Sequence, residues 1–308
     1  MLNFGIDFNS LKEVGRGHWS SVRLFVDEED GKKYVMKKPL RSDVPFWLGT
    51  QKRASVAMDF ARQASSSSSL FIPTTKVIND CLRNPYVVES YARGELLTET
   101  FLSTLSEREK EHVCVEMAVF LDGLHHSDLD VNDYPRGAIY DSESKGDEKI
   151  SFHPSIWLMD TFESHEEDRN LCNFVPLHND CHSNNILYDR ESGVLSILDF
   201  GNVGFGNPFS EFKFMNIVPG IGDNFSGSFA NSVLEVYNSL QEDSNKVDHN
   251  CLQCLVSSVA LVRSIKQIKK SPFVFASNCM QAGQDWSRYG AAELKRRVSI
   301  SSQQKLSL

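Results

Sequence analysis

One stretch near the middle of the chain constrains it more than any other: His178-Asn179-Asp180-Cys181-His182-Ser183-Asn184-Asn185-Ile186-Leu187, followed shortly by Ile197-Leu198-Asp199-Phe200-Gly201. The apolar runs over residues 186–188 and 194–198 flank Asp189-Arg190-Glu191-Ser192-Gly193, a polar segment ending in glycine. Such a pattern predicts a β-hairpin. Closing it brings two short loops side by side, with Asp180, Asn185 and Asp199 on them. Oxygen donors converging in this way suit Mg²⁺, a hard cation usually shared between one or two carboxylates and substrate phosphates. A second carboxylate beside the metal is placed to take up or orient the proton of an attacking hydroxyl. Asp and Asn are common at plain turns, and any one of the three alone would be read that way. Together, at this spacing, they point to a metal and phosphate site.

The pattern H-x-D-x-x-x-x-N, then I-L-D-F-G, resembles the aminoglycoside phosphotransferase and choline kinase family, small-molecule kinases with a protein-kinase-like fold. The resemblance continues into Gly206-Asn207-Pro208-Phe209-Ser210-Glu211, similar to the family's G-D-P-x-x-D segment. It implies ATP and Mg²⁺ as cofactors, Asp180 as the catalytic carboxylate, and Asn185 and Asp199 as metal ligands. It also implies that His178 braces its loop, with Glu211 in a supporting position where the family usually has Asp. The fold it implies is α+β and bilobal: an N-terminal antiparallel sheet lobe over residues 1–92 and a mainly helical catalytic and substrate-binding lobe over 93–298.

In the N-terminal part, residues 11–14 and 21–26 read as short strands around Gly15-Arg16-Gly17-His18-Trp19-Ser20. A glycine-bearing turn between strands lets backbone N–H groups approach phosphates closely. Gly15 and Gly17 are therefore candidate nucleotide contacts, together with Ser20, which stands where the kinase loop has a third glycine. A plain hairpin explains the two glycines equally well. The next strand, Tyr34-Val35-Met36-Lys37, resembles the V-A-I-K strand of kinases, with Val35 roofing the adenine and Lys37 holding phosphate oxygens. Residues two apart share a strand face, so Val35 and Lys37 point the same way; a solvated basic edge strand is the alternative. The composition of residues 46–64 is that of a helix, and in a kinase-like lobe this helix carries the acidic partner of the lysine. Asp59 is the only acid within it. Residues 74–79 and 86–91 read as further strands, and the run from Glu89 to Glu95 resembles the family's hinge, which places Glu89 and Tyr91 at the adenine edge.

The remainder reads as helical. Val113, Met117, Phe120, Leu121 and Leu124 lie at helical spacing within residues 107–126, and the ending Phe120-Leu121-Asp122-Gly123-Leu124-His125 resembles the F-L-x-x-L-H helix preceding the family's catalytic loop. His125 and His126 lack partners at ligand spacing and read as structural, as do Cys251 and Cys254 on an apolar helical face. Residues 128–149 read as a polar insertion and 156–173 as a helix bearing Asp160, Glu163, Glu166, Glu167 and Asp168. Those acids suit an amino-bearing alcohol as acceptor, or form a solvated helix face. Further helices are expected over residues 233–240, 247–269 and 273–297, with a disordered tail over 299–308. Past Gly201 neither a long activation segment nor an A-P-E motif is visible. Asn179 and His182 also stand where many protein kinases have Arg and Lys, and all of these departures point toward small-molecule kinases.

At 308 residues the chain is long enough for two lobes. A net charge of −9 argues against general nucleic-acid binding; it favours cationic ligands, or simply solubility. No apolar run approaches the length of a membrane span. The start lacks the blocks of a secretory signal, and seven cysteines show no framework spacing, so a cytoplasmic setting is the expectation. The function expected is ATP- and Mg²⁺-dependent transfer of the γ-phosphoryl group to a hydroxyl of a small molecule, an amino-bearing alcohol or a sugar. A protein-directed kinase and a non-catalytic nucleotide-binding regulator are the alternatives.

Overall fold

Tyr34 and Met36 are buried in a strand whose intervening residues, Val35 and Lys37, face the other way, and this alternation organises the first sheet. A computed structural model describes residues 11–16, 20–40, 44–65, 67–79, 84–129, 175–206, 208, 211–212, 227–242 and 246–247. In chain order its elements begin with β1 (Lys12–Arg16), β2 (Ser20–Val26) and β3 (Lys33–Pro39), followed by helix α1 (Val44–Ala64). Strands β4 (Leu70–Phe71), β5 (Thr75–Asn79), β6 (Tyr86–Ser90) and β7 (Glu95–Leu96) come next, then helices α2 (Glu99–Thr104) and α3 (Glu107–His125). Strands β8 (Val175–Leu177), β9 (Ile186–Asp189), β10 (Val194–Ile197) and β11 (Gly204–Gly206) precede helix α4 (Gly227–Leu240).

The first sheet is antiparallel with the order β1-β2-β3-β6-β5. A second sheet, β4-β10-β9-β7, contains the hairpin expected from the central motif. Strand β4 pairs in parallel with β10 and so ties residues 70–71 to the segment beyond residue 92. Strands β8 and β11 form a short pair around the two site loops.

The α-helical lobe starts from local signals. Ser106 caps α3 by accepting from the Glu109 N–H, while Glu109 accepts from the Ser106 N–H, a reciprocal box that satisfies two otherwise orphaned donors. Glu109 also holds Arg190 at the hairpin tip, Nε to Oε1 at 3.0 Å. The Arg190 guanidinium, helped by Ser106, pulls the Glu109 carboxyl down to about 2. Gly193 closes the hairpin at φ +71°, a conformation that L side chains disfavour. The His112 ring meets its carbonyl at 2.8 Å. These contacts dock the hairpin on α3.

Helix α1 bridges two cores. Its first turns bury Trp47 and Leu48 with Val87 of β6. Its later turns put Ala54, Ala57, Met58 and Ala61 into the main core with Met117, Phe120 and Leu121 of α3 and Ile186, Leu195 and Ile197 of the hairpin. Helix α4 packs along α3, where Tyr237 and His125 meet at 2.8 Å between hydroxyl and Nδ1. Burial drives the His125 pKa down to about 3, so the ring is neutral and structural, as expected. The expected helices over 156–173 and 273–297, residues 248–269 of a third, residues 130–149 of the insertion, Cys251 and Cys254, and the tail lie outside the described residues. Among the described residues no helix is long and apolar enough to cross a membrane.

Candidate active site

Asp180 sits at the end of a loop whose backbone is tied down on all sides. Asn179 takes φ +63°, which Asn tolerates better than most residues. Glu211, fully buried, accepts from the N–H of His178 at 2.8 Å and of Asn179 at 3.2 Å. His178 Nδ1 accepts from the Asp180 N–H at 3.2 Å, and Nε2 donates to the Leu198 carbonyl at 2.9 Å. That pattern requires a neutral ring, and burial supplies it by lowering the His178 pKa to about 4. His178 also lies edge-on to Phe200, ring centroids 4.6 Å apart. One imidazole therefore joins both loops of the motif.

His178, Cys181 and Glu211 offer ligand atoms within 4.8 Å of one another, a grouping that resembles a metal site. Its atoms are already spoken for. Both nitrogens of His178 are hydrogen-bonded, Glu211 accepts two backbone N–H groups, and the buried Cys181 thiol bonds to Glu211. Burial, then Glu211, hold that thiol well above its ordinary pKa, which keeps it protonated. The cluster is a brace.

The Asp180 carboxylate is the focus of the site. Its Oδ2 accepts from Asn185 Nδ2 at 3.1 Å and from Asn202 Nδ2 at 3.0 Å, while Oδ1 faces His182 Nε2 at 3.4 Å. Burial and Asp199 push the Asp180 pKa up; His182, Asn185 and Asn202 pull it back. Asn185 is held further by its N–H···His182 carbonyl bond and by Leu198, whose N–H donates to the Asn185 carbonyl at 2.8 Å. Asp199 takes a left-handed conformation, φ +59°, and its Oδ1 accepts from the Gly201 N–H at 3.4 Å.

Lys37 reaches this region from the other sheet. Its Nζ lies 2.9 Å from Glu89 Oε2, with side chains only 16% and 4% exposed. Burial lowers the lysine pKa, but Glu89 and Asp199 outweigh it, and the net displacement is upward. Asp180, Asn185, Asp199 and Lys37 are thereby brought into one electrostatically coupled region. Val35 lies in register opposite Glu89, on the same strand face as Lys37.

Four expectations require correction. Asp59 does not pair with Lys37: the buried stripe of α1 runs through Trp47, Gln51, Ala54, Met58 and Ala61, which turns Asp59 outward to bind Arg62. Glu89 is not a hinge residue presenting backbone to an adenine edge; its side chain is the acid that Lys37 needs. Tyr91, also expected at that edge, already donates its N–H to the Lys33 carbonyl at 3.3 Å. Ser20 turns its hydroxyl to the Trp47 indole, 2.9 Å away, so the side chain is engaged with α1. Gly15 lies in β1, and Gly17 is outside the described residues. Asn202 was missed altogether. Its only sequence signal is adjacency to Asp199-Phe200-Gly201, and its contact with Asp180 depends on the turn taken there.

The phosphotransferase enzyme family model matches residues 10–243. The chain belongs to this family. It is a phosphotransferase of the kinase type, acting on a hydroxyl group. Among solved structures, the streptomycin–ATP ternary complex of APH(2")-IIa is similar over 90% of this chain and 91% of that one, with 21% identity and a TM-score of 0.57. The ADP-bound aminoglycoside phosphotransferase APH(2'')-Ib is similar over 91% and 93%, with 20% identity and a TM-score of 0.55. The GDP complex of wild-type aminoglycoside 2'-phosphotransferase-IIIa is similar over 92% and 94%, with 14% identity and a TM-score of 0.53. These likenesses establish the kinase-like bilobal α+β fold.

Proposed function

We propose that this phosphotransferase uses ATP and Mg²⁺ to phosphorylate a hydroxyl of a small, amino-bearing alcohol or sugar. The observation that carries the reading is the Asp180 carboxylate, with Oδ2 pinned by two amides and Oδ1 directed elsewhere. An alcohol meeting Oδ1 would be aligned by it and would give up its proton there as the new P–O bond forms. His182 at 3.4 Å is positioned to steady the charge on that oxygen.

The donor set suits Mg²⁺. The Asn185 amide nitrogen is committed to Asp180, which leaves its Oδ1 as a hard donor to act with the Asp199 carboxylate. Asn185 and Asp199 would hold the metal, which would supply positive charge to offset that of the phosphates. Lys37, held between Glu89 and Asp199, would take further phosphate charge. The nucleotide lobe over residues 1–92 and the acceptor-binding lobe over 93–298 divide these tasks.

A cationic acceptor fits the net charge of −9. The APH(2")-IIa ternary complex holds streptomycin with ATP, and that protein shares this fold. The deciding experiment measures acceptor-dependent ADP release over a panel of aminoglycosides, choline, ethanolamine, sugars and homoserine. One acceptor should stimulate release in the wild type and not in Asp180→Asn, with ATP·Mg²⁺ affinity retained. Stimulation that survives in Asp180→Asn would refute the assignment, as would an unresponsive panel in a protein that binds ATP·Mg²⁺.

A further inference from the structure

Trp47 has no place in the motif, yet it touches one half of the nucleotide site and lies one helical turn from the other. It is 3% exposed, packed with Leu48 and Val87. A buried indole N–H normally finds an acceptor, and here the acceptor is Ser20 Oγ at 2.9 Å. Ser20 is the first residue of β2, where the chain returns from the glycine-bearing turn, and the next residue closes that turn by pairing with Arg16. One turn further along α1, Thr50 uses its hydroxyl on the Phe46 carbonyl at 3.1 Å. A Cβ placed on Gly201 would sit 3.5 Å from Thr50 Cγ2. The first turns of α1 therefore touch both Ser20, at the start of β2, and the Asp199–Gly201 turn. Because Glu89 supplies the partner of Lys37, α1 is released from carrying that acid and is left to hold the two turns at a fixed separation.

We infer that Trp47 is a positioning residue for the nucleotide, its indole fixing the return limb of the phosphate turn through the Ser20 hydroxyl while its helix seats the Asp199 turn. A glycine at position 20, as in the kinase loop, offers no such acceptor, so Ser20 and Trp47 form a matched pair. The inference rests on the ATP·Mg²⁺ reading above.

The test is a double-mutant cycle over Trp47→Phe, Ser20→Ala and the double variant, with Ser20→Thr as the conservative control. Two quantities are measured: ATP·Mg²⁺ dissociation constants by calorimetry without acceptor, and KM and kcat with whichever acceptor the panel identifies. Each single loss should weaken ATP·Mg²⁺ binding about 3- to 10-fold, the scale of one neutral hydrogen bond. The same singles should change kcat less than about twofold, since the proton-accepting groups are untouched. The double variant should be no worse than the worse single. Ser20→Thr, which keeps the acceptor oxygen, should recover most of what Ser20→Ala loses. Multiplicative losses in the double variant, a Ser20→Thr affinity equal to that of Ser20→Ala, or unchanged affinity in both singles overturns the inference. If Trp47→Phe does not fold, the comparison of Ser20→Ala with Ser20→Thr decides alone. A wild type that fails to bind ATP·Mg²⁺ refutes the functional reading itself, whereas a binding wild type with insensitive variants refutes only the latch.

Discussion

Replacing Glu89 by Gln isolates the charge that Lys37 depends on. The Nζ to Oε2 distance of 2.9 Å and the low exposure of both side chains make this a buried ion pair. Breaking a buried pair by removing one partner costs about 3–5 kcal/mol, because the other charge stays buried. Gln keeps an acceptor oxygen at nearly the same place, which retains roughly 1 kcal/mol of hydrogen bonding. Asp199 also remains to attract Lys37. The expected loss is then about 2–4 kcal/mol, a fall of roughly 3–6 °C in Tm for a protein of this size. The control, Asp59→Asn, removes an exposed charge paired with Arg62 and should shift stability by less than about 0.5 kcal/mol. Urea and thermal unfolding of the two variants, without nucleotide, make the comparison. The sign of the pH dependence follows from Lys37. Its folded pKa lies above the ordinary 10.5, so its stabilisation is complete below that value and is lost as pH rises through the folded one. The gap between wild type and Glu89→Gln should therefore be widest near neutral pH, where Lys37 is charged in both proteins, and narrow as alkaline pH removes that charge. A Glu89→Gln protein that unfolds with the wild type while Asp59→Asn loses stability would restore the helix-borne partner and refute this account.

Other outcomes follow from single contacts. Asn202→Ala removes a hydrogen bond to the Asp180 carboxylate; steady-state kinetics should show kcat lowered roughly 10- to 100-fold, the scale of a bond to a charged group, with the KM for ATP nearly unchanged. Gly94→Ala puts a Cβ 2.6 Å from the Tyr188 carbonyl carbon at φ +112°, and denaturant titration should find it destabilised by about 2–4 kcal/mol. At Asn179, with φ +63°, Ala should be less stable than Gly by about 1 kcal/mol in the same assay, since both lose the side chain and only Ala resists the left-handed backbone.

How much of this could be read from the residues alone depends on whether the signal is local. The hairpin expected over 186–188 and 194–198 forms at Ile186–Asp189 and Val194–Ile197, and the helix expected over 107–126 forms at Glu107–His125. In both, periodicity and end signals act within a few residues of each other. Helix α1 was legible as a helix but not in its phase. Alanines at 54, 57 and 61 are buried as completely as Met58, so the apolar stripe is too faint to show that position 59 faces outward. Strands of two or three residues, such as β4, β7 and β8, are shorter than the alternation that would reveal them.

Glu89 and Asn202 mark the deeper boundary of such reading. A strand residue has only two faces, so Glu89 reaches Lys37 solely because β6 pairs with β3 in the register that sets Glu89 opposite Val35. A shift of one residue would turn the carboxylate to the other face of the sheet. Register is fixed by the packing of Tyr34, Met36 and Val88 into one face of the sheet and of Val87 against Trp47 on the other, a property of two strands that neither encodes alone. The Asp180 carboxylate depends in the same way on Asn202, which is positioned by the turn that follows Asp199, itself seated by Phe200 against His178 and Phe120. The charged and amide side chains of the site can therefore be recognised from a motif, whereas those that hold them in place belong to the fold. Substitution at the second group should therefore act on the site through the fold, because the same contacts that close the core also set the separation of the two loops.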